Sequence, residues 1–85
     1  MQLVIVKFQD PTTFNQWSTM DTIDASVPQI CYAGGFLIEE NDKVVKVSLL
    51  LNKGKQTGSE WITIPAGCVL SIDIIKEVDW NVGDE

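Results

Sequence analysis

The sequence predicts an all-β fold, in which five short strands form a small, strongly bent, partly open barrel and a long first connection carries a short helix. Three observations predict it. Residues 30–49 read as two β-rich runs joined at the acidic, polar turn Asn41-Asp42. Residues 43–51 alternate apolar and polar side chains with the period of a half-buried strand. Ile64-Pro65-Ala66-Gly67 then stops a further apolar run just before the last one begins.

The first strand spans residues 2–8 and is rich in β-branched side chains. Val4, Val6 and Phe8 fall on one face and Leu3, Ile5 and Lys7 on the other. Asp10-Pro11 signals a helix start, since Asp caps free amides and Pro fits the first helical turn. A short helix over residues 11–17 would place Phe14 and Trp17 on one face, as a lid over one end of the core. Residues 18–28 lose any periodicity and read as an irregular connection.

The second strand covers residues 29–40, and Gly34-Gly35 in its middle predicts a bulge or sharp bend that lets one strand serve two halves of the sheet. The third, residues 43–51, places Val45, Val47, Leu49 and Leu51 on the core face, with Lys46 and Ser48 outward. Residues 52–59 form a flexible hairpin connection, and residues 61–64 a fourth strand whose Trp61 and Ile64 enter the core. After one helical or turn-like step at Pro65-Ala66-Gly67, residues 69–75 form the fifth strand with Leu70, Ile72 and Ile74 inward. Residues 1–76 thus make a single domain, and residues 77–85 an acidic C-terminal tail whose Trp80 is exposed or docks on a partner.

Five strands in this order, with a break of a single turn before the last, describe an SH3-like or Sm-like barrel. Phe36-Leu37-Ile38-Glu39-Glu40 and Ile64-Pro65-Ala66-Gly67 also resemble motifs of small bacterial and phage-encoded β-barrel proteins. The resemblance covers roughly residues 30–75 and implies a fold and a phage-associated setting. That family has no established activity, so it transfers no functional residue.

Composition sets further bounds. The 85 residues carry 12 acids against 6 lysines, a net charge of −6, with neither arginine nor histidine. Such a surface repels nucleic acid over most of its area. The absence of histidine removes the commonest general base and with it Ser-His-Asp and Cys-His catalysis. Glu39 and Glu40 are the obvious carboxylate pair, but neighbours on a strand point to opposite faces. Asn41 and Asp42 lack the ligand spacing of a calcium loop, and Gly34-Gly35 lacks the lysine, hydroxyl and helix of a phosphate cradle. Cys31 and Cys68 read as small buried hydrophobes. The expectation is therefore a noncatalytic protein without cofactor or metal, cytoplasmic, with no membrane span.

Two binding surfaces remain. Val44, Lys46, Ser48 and Leu50 on the outward face of the third strand, together with Trp80, form a candidate interface with a protein partner or a second copy in a homo-oligomer. Lys43, Lys46, Lys53 and Lys55 cluster in residues 43–58, a stretch without acids. Beside Tyr32, Phe36 and Trp61 they offer a nucleic-acid alternative, which the net charge disfavours. The fold class has a direct readout: far-UV circular dichroism is expected to be β-dominated with at most one short helix, near residues 11–17, and helix in half the chain would overturn the assignment.

Overall fold

A computed structural model describes residues 1–10 and 17–81. Strands β1 (Gln2–Asp10), β2 (Gln29–Glu40), β3 (Val44–Asn52), β4 (Thr57–Pro65) and β5 (Val69–Glu77) form one antiparallel sheet in the order β4-β3-β2-β1-β5. The sheet is not closed, so β4 and β5 are its edges. A 3-10 turn, Ala66–Cys68, supplies the step between them, where the Ala66 amide donates to the Lys43 carbonyl at 2.9 Å.

β2 serves two halves of the sheet, as expected. Its first part pairs with β1, from Asp10↔Gln29 to Leu3↔Phe36, and its last part pairs with β3, from Phe36↔Ser48 to Glu40↔Val45. Register along β1 runs unbroken through Gly34 and Gly35; the irregularity lies at Ile38, between Leu37 and Glu39 on the β3 side. What the glycine provides is close approach: a Cβ on Gly35 would lie 2.6 Å from the Ser48 carbonyl oxygen and 2.8 Å from Val47 Cγ1.

The sheet encloses a small aliphatic core of Val4, Val6, Val45, Val47 and Ile64. Phe8, Ala33, Leu37, Cys68, Val69 and Ile72 pack around it. Of the two free cysteines, Cys68 thus meets the core, whereas half-buried Cys31 lies outside it.

The structure corrects the expected faces of β3. Val45 and Val47 point inward, but Leu49 is 57% exposed and Ser48 only 2%. Pairing with β4 keeps one register from Val44↔Pro65 to Asn52↔Thr57, interrupted only opposite Leu49, where Glu60 adopts a φ of 56°, unfavourable for a residue with a Cβ. Ser48 meets the cost of burial by donating its hydroxyl to the carbonyls of Leu50 and Ser59, each at 2.9 Å. Trp61, expected in the core beside Ile64, is 69% exposed, since residues three apart on a strand face opposite sides. A register shift between β1 and β5 brings Val69, rather than Leu70, opposite Phe8 and leaves Leu70 exposed; Ile74, opposite Val4 and in phase with Ile72, is exposed as well.

Two further expectations change. Residues 11–16, most of the expected first helix, lie outside the described residues, and Trp17 is fully exposed and no lid. The helix described is α1 (Met20–Ala25), within the stretch read as irregular; Thr19 caps it by accepting from the Thr22 amide through Oγ1 at 3.3 Å. The beginning of the tail is also tied down. Glu77 binds the Met1 ammonium at 3.0 Å and the Val78 amide donates to the Met1 carbonyl at 2.7 Å.

The two glycines of β2 give a paired test. Gly35→Ala is expected to destabilise the fold by about 1–3 kcal/mol, since β3 must retreat. Gly34→Ala, whose Cβ would meet nothing within 4 Å, is expected to be neutral or stabilising by about 0.5–1 kcal/mol. Urea denaturation of the two variants checks this; equal losses would show that β3 does not press on Gly35.

Candidate functional site: an apolar groove and an exposed arm

Val47 and Ser48 are consecutive and each only 2% exposed, so both faces of β3 are covered at this point. On the Ser48 side the cover is partial and leaves a groove of about 300 Å³ lined by Met1, Ile38, Leu51, Thr57, Trp61 and Trp80 among others. The chain after β5 forms one wall. Gln56, at the tip of the β3–β4 turn with a φ of 52°, donates through Nε2 to the Trp80 carbonyl at 3.3 Å, and Lys53 pairs with Asp79 at 3.7 Å. Trp80, expected to be exposed, is half-buried in this wall. Sequence reasoning missed the groove because its wall is closed by two polar contacts from a turn to the chain end, which leave no periodic signal.

At the opposite end of β1, where Asp10 pairs with Gln29, residues 17–28 lead into β2 as an arm that carries α1, in which no residue is buried. Trp17, Met20, Ile23 and Val27 are all exposed on this arm, Met20 by 68% and Val27 by 64%. Its charged residues between positions 17 and 30 are Asp21 and Asp24.

The expected interface residues divide. Leu50, 56% exposed, borders the groove through a neighbouring hollow it shares with Leu51, Thr57 and Gly58. Val44 and Lys46 are half-buried, and Ser48 is withdrawn from any interface by its burial. The lysine patch is partly spent. Lys46 lies opposite Glu39 in the β2–β3 register and pairs with it at 2.8 Å, a contact that holds the Glu39 carboxyl below its ordinary pKa, first through the hydrogen bond and then through the lysine's charge. Lys53 is held by Asp79, whereas Lys43 and Lys55 form no ion pair among the described residues. Tyr32 and Trp61 are exposed, but Tyr32 lies about 13 Å along β2 from Phe36, the residue level with Trp61, so the aromatics do not make one platform.

The polar turn is likewise occupied by its own backbone. Asn41 Oδ1 accepts from the amides of Lys43 at 2.8 Å and Val44 at 2.9 Å, and its Nδ2 donates to Glu39 at 3.2 Å. This is the work of an Asx turn. Among the described residues no helix is long and apolar enough to cross a membrane.

No family model matches the chain, and neither the curated proteins nor the solved structures contain a significant match to it.

With two of four patch lysines paired, single-stranded DNA or RNA is expected to bind no tighter than weak electrostatic background at low salt. Fluorescence anisotropy across a salt series tests this. A submicromolar complex that weakens steeply with salt would favour the nucleic-acid reading.

Proposed function

We propose that this chain is a noncatalytic assembly subunit, built to bury its apolar surface against another protein chain. The observation that carries the reading is surface area. The chain exposes 6386 Å², whereas a compact monomer of 9.4 kDa exposes about 5,000 Å². Its radius of gyration is 16.7 Å, against about 12 Å for a compact domain of 85 residues. The excess is apolar where it matters: the exposed large side chains include Trp17, Met20, Val27, Leu50 and Trp61. Exposed apolar surface of this extent on a small protein marks an interaction site.

The chemistry of the described residues supports the noncatalytic part of the reading. Histidine is absent from the chain, and Glu39, whose carboxyl is held below its ordinary pKa, is bound to Lys46 at the surface. The reading carries with it a cytoplasmic location and a phage or prophage setting, the latter supported only by the resemblance of residues 30–75 to bacterial and phage-encoded barrels.

Leu50 is the residue through which to test it, because it is exposed, apolar and beside the groove. Leu50→Glu is expected to weaken self-association or partner binding while leaving the circular dichroism spectrum unchanged, since a charge is costly only where the site becomes desolvated. Analytical ultracentrifugation reads the outcome. A wild-type protein that stays at 9.4 kDa at high micromolar concentration, with Leu50→Glu indistinguishable from it, removes self-assembly.

A further inference from the structure

The arm and the groove lie at opposite ends of one strand. Met1, just before β1, lines the groove, and Asp10, the last residue of β1, sits at the root of the arm. Nine residues of strand separate them by about 30 Å. The molecule as a whole is 59 Å long and only 22 by 20 Å across. Two unlike apolar features at the two ends of an elongated body cannot satisfy each other within one chain.

We infer that the arm of one copy docks in the groove of the next, so that this chain assembles with itself head to tail. The inference rests on the assembly reading and names its partner as a second copy.

The two surfaces match in shape. Met20 and Ile23, three residues apart, share a face of α1, and Val27, past the end of the helix, lines one hollow with Ile23. The groove has the volume of about ten waters and is walled by Ile38, Leu51, Trp61 and Trp80, so aliphatic side chains entering it exchange contact with water for contact with apolar walls.

They also match in charge. The arm carries Asp21 and Asp24 with no base, and the turn over the groove carries Lys53 and Lys55 with no acid. Asp79 already holds Lys53, so Lys55 is the cation left to meet the arm. Two arms would repel each other, and this sets arm-to-groove docking above a symmetric arm-to-arm pair.

The area is of the right order. Each copy makes two contacts, one through its arm and one through its groove, which at about 800 Å² each would cover about 1,600 Å² per chain, close to the roughly 1,400 Å² by which the chain exceeds a compact monomer. Because the contact joins unlike patches, it repeats, and it closes into a ring or continues as a filament according to the rotation between copies.

Unlike patches can be tested by complementation. One variant, Met20→Asp with Ile23→Asp, removes the arm's apolar stripe and keeps the groove; Trp61→Glu removes the groove and keeps the arm. These side chains are all exposed, so the β spectrum is expected to persist. Should Trp61→Glu not fold, Lys55→Glu on the exposed turn replaces it. In sedimentation the wild type is expected at multiples of 9.4 kDa and each variant alone as a monomer. Their equimolar mixture is expected at twice the monomer mass and no higher, one intact arm in one intact groove. Variants that assemble like the wild type would overturn arm docking and leave the assembly reading standing. Monomeric variants whose mixture stays monomeric would overturn the head-to-tail arrangement, and a wild-type monomer would overturn self-docking altogether.

Discussion

The approach of β3 to Gly35 is the contact on which the rest of this structure depends. A five-stranded sheet of this length, if flat, would leave both faces in water and gather no interior. Here β2 gives its first part to β1 and its last part to β3, and the change of partner falls at Phe36, next to Gly35. The β3 backbone passes where a side chain on Gly35 would stand. That passage folds the β3–β4 half over the β1–β5 half, so Val4 and Val6 meet Val45, Val47 and Ile64. It also buries Ser48, whose hydroxyl must then find acceptors, and the carbonyls of Leu50 and Ser59 provide them.

Much of this is legible from the sequence, because strands announce themselves through period and punctuation. The limits of β2 are those of the apolar run between Pro28 and Asn41, the turn after it is chosen by Asn41, and the break at Pro65 follows from a missing amide. Gly35 is needed for a physical reason that holds: only a residue without a side chain lets another backbone come so close. What escapes is where each face is covered. A shift against β1 puts Leu70 out of phase with Ile72, whereas Leu49 keeps its register and is exposed where Glu60 interrupts the ladder. Trp61 is three residues from Ile64, so it falls on the opposite face of β4, level with Ser48, and lines the groove.

The charges divide along the same lines. Lys46 with Glu39 and Lys53 with Asp79 are exposed pairs, each worth little to stability in water. Their effect is positional. The first pair sits across the β2–β3 hairpin in register, and the second fastens the chain after β5 against the β3–β4 turn, with Gln56 beside it. A lysine patch that reads in sequence as a phosphate-binding stripe is, in three dimensions, half engaged in ion pairs, Lys46 with Glu39 across the hairpin and Lys53 with Asp79 after β5. The same engagement shapes the wall of the groove.

The bend at Gly35 and the association of copies are therefore one geometric problem. β1 carries the root of the arm at one end and the floor of the groove at the other, so it fixes the distance between the two docking surfaces. Their relative rotation is set elsewhere, because the groove is lined largely by the β3–β4 half and the arm springs from the β1–β2 half. The hinge between those halves is the partner change of β2. In a head-to-tail assembly a small change of angle at this hinge is repeated at every contact, and it decides between a closed ring and an open filament. A rigid, sterically enforced bend gives one rotation and hence one closed assembly size, whereas a loose bend would give a mixture. The tight contact that makes the core is thus also what would let many copies agree on one geometry.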